Sequence, residues 1–103
     1  MDKRVRYHPL FECDVREAGG WYQRRSVAVA STFMDAVERR VLDVINAPEQ
    51  FPRAFDEVRF ARLSRFPYLV LFESDTAELR IYGVLHSASN PTKWRERVGD
   101  LLG

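Results

Sequence analysis

The second half of the chain carries the side-chain types that bind anions and transfer protons. Arginine guanidinium groups pair bidentately with phosphates and carboxylates. An imidazole or a phenol can accept or donate a proton, so such groups on one face of a sheet could bind a phosphate and move a proton. The residues of these types are Arg59, Arg62, Arg65, Arg80, Tyr82 and His86.

Their spacing works against a single shared site. Arg80 and His86 have the same parity on an alternating strand, yet six strand residues separate them by roughly 20 Å. Arg62 has the parity of Val58 and Phe60, which directs it toward the core unless a β-bulge intervenes. We therefore expect that Arg80 and His86 do not grip one phosphate together unless the sheet bends sharply.

Three strands must position these side chains. Alternating apolar and polar residues predict strands over Val58–Leu63, Tyr68–Glu73 and Glu78–His86, with Ser74–Ala77 as the turn between the last two. On the last strand, simple alternation predicts one face made of Leu79, Ile81, Gly83 and Leu85. The opposite face is predicted to carry Arg80, Tyr82, Val84 and His86.

The N-terminal half predicts one strand and two helices. Val5 and Tyr7 alternate with charged neighbours, which predicts a short strand ended by Pro9. Apolar residues at helical spacing predict a helix from Leu10 to Tyr22, weakened near its end by Gly19 and Gly20, so that Trp21 and Tyr22 fall on a frayed turn.

A second and stronger helix follows, and a third ends the chain. Ser26 is predicted to cap the second helix, which ends before Pro48. Residues 49–57 have no clean period and are predicted to be a connection. Asn90 and Pro91 open a short C-terminal helix that carries Trp94.

This order predicts the α+β fold class. It comprises an N-terminal strand, a two-helix hairpin, an antiparallel three-strand meander and a short C-terminal helix, with the helices packed on one sheet face. At 103 residues, the chain is expected to form a single domain over residues 1–103. The predicted core between the long helix and the sheet is Phe33, Val37, Val41, Leu71, Ile81 and Leu85.

Composition excludes several classes of protein. The net charge of +1 is too small for a uniformly basic nucleic-acid binder, although fourteen of the sixteen basic residues are arginines. Cys13 is the only cysteine, and His8 and His86 are the only histidines, so we expect no disulfide, metal site or cofactor. A charged N-terminus and short apolar runs predict no signal peptide and no membrane contact, and hence a cytoplasmic protein.

Motifs in the last third of the chain resemble those of the RelE/ParE superfamily of type II toxin-antitoxin toxins, which includes plasmid stabilisation proteins. Residues 66–68 read Phe-Pro-Tyr at a strand start, His86 ends the last strand, and Pro91, Trp94 and Arg97 follow. The resemblance implies a growth-inhibiting toxin whose partner is a cognate antitoxin. The antitoxin segment is expected on the outward sheet face and in a groove beside the helix hairpin.

The two branches of the superfamily imply different activities. RelE-type toxins cut ribosome-bound mRNA without metal, which here would use Arg62, Arg80 and His86 as catalytic residues. Where that branch places further cations and a C-terminal tyrosine, this chain has Leu69, Ala88, Ser89 and Trp94.

ParE-type toxins bind DNA gyrase instead, and they need a recognition surface rather than an acid and a base. The ParE-like function is therefore preferred, with the mRNA endonuclease as the alternative and a degenerate, inactive toxin as a third reading. Whether the chain is an enzyme and whether it forms a homo-oligomer stay open. The residues expected to bind a target or antitoxin are Arg59, Arg62, Arg65, Arg80, Tyr82, Trp94 and Arg97, although for Trp94 packing is favoured over binding.

Overall fold

A computed structural model describes the backbone of residues 3–102 and the side chains of residues 3–100. The elements within this range are β1 (Arg4–Tyr7), α1 (Phe11–Gln23), α2 (Val27–Asn46), a 3₁₀ turn (Pro48–Gln50), β2 (Arg53–Phe55), β3 (Val58–Arg62), β4 (Tyr68–Ser74), β5 (Glu78–His86) and α3 (Pro91–Leu102). The order confirms the predicted α+β class. None of the helices described over residues 3–102 has the length and apolar character that a membrane-spanning segment requires.

The five strands form one sheet in the order β1-β5-β4-β3-β2, with β1 parallel to β5 and the other neighbours antiparallel. The three strands of the predicted meander are confirmed. β2 was missed at the sequence level because its three residues sit in a proline-containing connection without a period. It pairs with β3 through Arg53 and Phe55.

A β-bulge in β5 changes which side chains share a face. Leu71 lies opposite Gly83, but Phe72 lies opposite Ile81, so Tyr82 is an extra residue between the two pairs. Side chains beyond the bulge therefore switch sides relative to simple alternation. The predicted grouping of Gly83 and Leu85 with Leu79 and Ile81 is wrong for this reason.

The α1–α2 hairpin packs on one face of the sheet. The hydroxyl of Ser26 accepts a hydrogen bond from the backbone N–H of Val29 at 3.2 Å, which confirms the predicted cap. Phe33 is fully buried, and its ring packs against Tyr22 and Phe66 at centroid distances of 5.2 and 5.3 Å. The buried side chains on this face include Phe33, Val37, Val41, Val44, Val70, Phe72, Ile81 and Val84.

Helix α3 packs against the opposite face, where a second apolar cluster forms. Its buried members are Val58, Leu69, Leu71, Tyr82 and Val98, with Leu85 and Trp94 packed against them. The prediction that Leu71 and Leu85 share a core with Phe33 is therefore wrong. Alternation along β4 turns Leu71 away from the hairpin, and the bulge does the same to Leu85.

The two glycines of α1 do not end the helix. The helix continues through Trp21 and Tyr22 to Gln23, which corrects the predicted fraying. A Cβ added at Gly19 would lie 3.6 Å from the sulfur of Met34 on α2, in ordinary van der Waals contact. Packing of Tyr22 against Phe33 and Phe66 holds the last turn, and this outweighs the cost of roughly 1 kcal/mol for each helical glycine.

Candidate functional site

Arg80 is enclosed by carboxylates and is not free to bind an anion. Its side chain is only 12% exposed, and it forms ion pairs with Asp75 at 2.9 Å, Glu78 at 3.5 Å and Glu73 at 3.6 Å. Asp75 also accepts hydrogen bonds from the backbone N–H groups of Ala77 and Glu78, both at 2.8 Å. Hydrogen bonds from the Glu78 N–H, Arg80 and the Ala77 N–H lower the pKa of Asp75 to about 2. Arg80 therefore braces the β4–β5 hairpin.

His86 lies on the opposite side of the sheet from Arg80. It is exposed, and its ring stands edge-on to Tyr68 of the hairpin-side cluster at a centroid distance of 5.1 Å. Its Nδ1 accepts a hydrogen bond from the backbone N–H of Ala88 at 3.0 Å. The expected shared face of Arg80 and His86 is therefore wrong, because the bulge at Tyr82 reverses the alternation between them.

Arg62 is exposed on the face that α3 partly covers. Its guanidinium lies 5.6 Å from the centre of the Phe60 ring, and no carboxylate among the described residues forms an ion pair with it. Arg62 does share a sheet face with Val58 and Phe60, as predicted, but at its position on β3 the side chain is exposed and does not enter the core. Arg62 is thus available to a partner.

The other predicted arginines of the sheet region hold the chain in place or lie in a loop. Arg59 donates a hydrogen bond to the backbone carbonyl of Phe51. Arg65 is exposed in the loop between β3 and β4, where its φ of 73° falls in the left-handed region. Such a conformation is uncommon for a residue with a Cβ and indicates a tightly constrained loop.

Tyr82 and Trp94 are packing residues. Tyr82 is fully buried, which contradicts the expectation of an exposed aromatic side chain. Trp94 is half-buried against the second apolar cluster, and its indole N–H donates to the hydroxyl of Ser89 at 2.8 Å. The packing interpretation favoured for Trp94 agrees with this position.

Arg97 forms a partly buried ion pair with Asp14, a residue that sequence reasoning did not single out. Its two terminal nitrogens lie 2.6 and 3.0 Å from the two carboxylate oxygens, and the side chains are 13% and 12% exposed. We call this pair the Asp14–Arg97 clasp. It joins α3 to α1 across 83 positions of sequence. No local pattern could have revealed so distant a pairing.

An apolar groove runs along the outer side of the α1–α2 hairpin. It has a volume of about 1070 Å³. Several of its apolar side chains are strongly exposed, among them Val27 at 71%, Leu42 at 58%, Met34 at 43% and Ile45 at 37%. We call it the hairpin groove. Large apolar side chains left exposed in a row are typical of a surface that binds another protein.

The exposed arginine of the sheet and the exposed apolar side chains of the helices therefore lie in different places. Arg62 is open on the α3 side of the sheet, whereas the hairpin groove lies on the opposite side of the molecule. Across residues 3–102, no cluster of three His, Cys, Asp or Glu side chains could hold a metal ion. Arg62 and the hairpin groove are therefore two separate surfaces.

Comparisons with known proteins found a matching family profile and a similar solved structure. A family profile described as the ParE toxin of the type II toxin-antitoxin system, parDE, matches residues 5–91. A solved structure described as the chromosomal ParDE TA system from P. aeruginosa aligns with a TM-score of 0.69 and 16% sequence identity, over 82% of this chain and 95% of that chain. Among curated proteins, no sequence matches. At this identity, the structural likeness supports the fold.

Proposed function

The chain belongs to the ParE toxin family of type II toxin-antitoxin systems, and from that premise we propose that it is a toxin neutralised by a cognate antitoxin and directed at DNA gyrase. The observation that carries the proposal is the family match over residues 5–91. The similar structure is described as a ParDE TA system, which supports the expectation of an antitoxin partner.

Action by binding, rather than by RNA cleavage, is favoured by the separation of the predicted catalytic residues. Arg62 lies opposite Leu69, which in turn lies opposite Leu85, so Arg62 sits near the end of β5. Arg80 precedes Leu85 by five residues, or roughly 16 Å of strand. His86 lies on the other face. A single phosphate therefore could not contact Arg62, Arg80 and His86 together, as the alternative mRNA endonuclease function would require.

The open part of the α3-side face is our candidate for the gyrase contact. Arg62 lies over Phe60, and Arg95 of α3 lies 4.3 Å from the centre of the Phe55 ring. Both arginines are exposed, and neither forms an ion pair within the described part of the chain. Arginine and aromatic side chains dominate binding hot spots, and stacking on a ring restrains the guanidinium before a partner arrives.

The hairpin groove is our candidate for the antitoxin. Its exposed apolar residues Val27, Met34, Leu42 and Ile45 follow one side of α2, a helix of 20 residues or roughly 30 Å. A partner helix with one apolar face would cover these side chains, and the charged residues Glu12, Arg16 and Glu38 at the groove would meet its polar edges.

The antitoxin contact is tested by titrating the purified toxin with the product of the neighbouring gene in a calorimeter. Leu42→Asp places a charge in the groove and should weaken binding by at least about 2 kcal/mol, because the carboxylate would lose its water. Val29→Asp is the matched control, since Val29 is also exposed on α2 at 41% but does not line the groove. Equal affinity for both variants and the wild type would place the antitoxin elsewhere.

The target is tested by two activity assays on the same toxin preparation. Inhibition of gyrase-catalysed DNA supercoiling is the expected result, and Arg62→Glu should weaken it by removing one exposed cation. Codon-specific cuts in ribosome-bound mRNA, with no effect on supercoiling, would instead support the endonuclease. Prior addition of the antitoxin should abolish whichever activity is present.

A further inference from the structure

Strand β5 is longer than β1, the strand that pairs with its outer edge. β1 pairs only with its first half, from Arg4 opposite Glu78 to Tyr7 opposite Ile81. The N–H of His8 makes a last bond to the Ile81 carbonyl at 2.8 Å, and the chain then turns into α1. From Tyr82 onward, β5 therefore has no strand beside it on that side.

Two side chains fill this gap in place of a strand. The Asp14 carboxylate accepts a hydrogen bond from the backbone N–H of Val84 at 3.1 Å. The Arg97 guanidinium donates one to the Tyr82 carbonyl at 3.0 Å while it also holds Asp14. The carboxylate thus takes the role of a neighbouring strand's carbonyl, and the guanidinium takes the role of its amide.

Gly83 leaves the space that the Asp14 and Arg97 side chains occupy. A Cβ at this position would collide with the Arg97 guanidinium and with the Asp14 carboxylate. Among the described residues, no glycine has a positive φ, so backbone conformation does not demand glycine here. Glycine is required at this position because the clasp lies directly against the strand and leaves no room for a side chain.

The clasp is also a principal attachment of α3. Among its described side chains, only Val98 is buried, and Trp94 is half-buried. Exposed Arg95 over Phe55 adds one stacking contact. Because both clasp partners are little exposed, removing either one would leave a charge in a poorly solvated place, which is strongly destabilising.

We propose that the Asp14–Arg97 clasp replaces the missing strand at the edge of β5 and is the device that holds α3 on the sheet. When the clasp opens, α3 leaves as a unit while the sheet and the α1–α2 hairpin stay folded. Its departure uncovers Tyr82, Leu69 and Leu71. This role does not depend on the proposed target.

Hydrogen exchange measured by mass spectrometry on the full chain tests the clasp. Arg97→Ala and Gly83→Ala should each speed exchange in α3 by at least about tenfold, because each removes the charge-assisted bonds that fix the helix. Exchange in α2 and β4 should stay near the wild-type rate. Arg95→Ala, a loss of an exposed arginine from the same helix, should change α3 exchange by less than about threefold.

A double variant distinguishes the clasp from general damage to packing. With Arg97 already removed, Gly83→Ala should add little further exchange, because much of the group it displaces is gone. Independent, multiplying effects of the two changes would overturn the proposal. So would uniform acceleration across all elements, because α3 would then not be a separable unit, or an Arg97→Ala variant whose α3 exchanges at the wild-type rate.

Discussion

The buried hydroxyl of Tyr82 donates a 2.9 Å hydrogen bond to Oε1 of Glu73 on the neighbouring strand. Glu73 also pairs with Arg80 at 3.6 Å, so one carboxylate serves both residues. Burial, together with the bond to Glu73, raises the pKa of Tyr82 to about 12. Tyr82 is therefore a neutral structural group at physiological pH. Neither it nor Arg80 is placed to contact a substrate.

Tyr82→Phe should lower the free energy of unfolding by about 1 kcal/mol, because it removes one buried hydrogen bond and keeps the ring. Urea denaturation followed by circular dichroism measures this loss. Tyr7→Phe is the matched control, since Tyr7 is 46% exposed and should lose almost nothing. Wild-type stability in Tyr82→Phe would mean that the hydroxyl contributes no net stabilisation.

Phe33→Ala should lower the free energy of unfolding by roughly 3 to 5 kcal/mol, since a fully buried ring would leave a cavity between α2 and the sheet. Met34→Ala, the next residue along the helix, is 43% exposed and should cost less than about 1 kcal/mol. The same urea titration compares them. Similar losses in both variants would contradict the described orientation of α2.

Local patterns predicted the elements well. The Ser26 cap, the end of α2 before Pro48 and the three-strand meander follow from short-range chemistry: a side-chain acceptor for a free N–H, the restriction of the residue before proline, and alternation. Each of these signals lies within a few positions of the feature it predicts. The ParE branch was indicated instead by residues spread from Leu69 to Trp94.

Long-range relationships could not be predicted in the same way. The bulge at Tyr82 depends on how β4 and β5 align, and nothing in the alternation of β5 signals it. The Asp14–Arg97 clasp depends on α1 and α3 meeting at the end of β1. Gly83 hinted only that some group lies against the strand, because glycine inside a strand often marks such a close approach; it did not identify Asp14 or Arg97 as that group.

The stability of the protein should fall as the pH drops below about 6.5, because of His8. This histidine is 5% exposed, its Nδ1 accepts from the Leu10 N–H at 2.9 Å, and its Nε2 has no hydrogen-bond partner among the described residues. Burial lowers the pKa of His8 from 6.5; nearby Arg97 lowers it further, while Asp100 and Asp14 oppose the shift.

The sign follows from which state binds the proton. In the unfolded chain His8 protonates near its ordinary value of 6.5, whereas the folded state keeps it neutral to lower pH. Acid therefore favours the unfolded state, and the stability present above 6.5 is lost below it. Urea midpoints at pH 7.5 and 5.5 measure the loss. His8→Asn retains an acceptor for the Leu10 N–H without a titrating ring, so its midpoint should change less; an identical change would exclude His8 as the cause.

His86→Ala should leave most of the toxic activity intact. The imidazole is exposed on the hairpin side of the sheet, its Nδ1 is already engaged by the Ala88 N–H, and Arg80 is held by carboxylates on the other face. An enzyme that used this ring for proton transfer would slow by roughly a hundredfold or more.

Growth assays cannot separate the two cases, since gyrase inhibition and mRNA cleavage both stop division. Wild type and His86→Ala should instead be compared for supercoiling inhibition and for cleavage of ribosome-bound mRNA. Equal inhibition of supercoiling by both proteins is the expected result, whereas cuts by the wild type that vanish in His86→Ala would assign the toxin to the endonuclease branch.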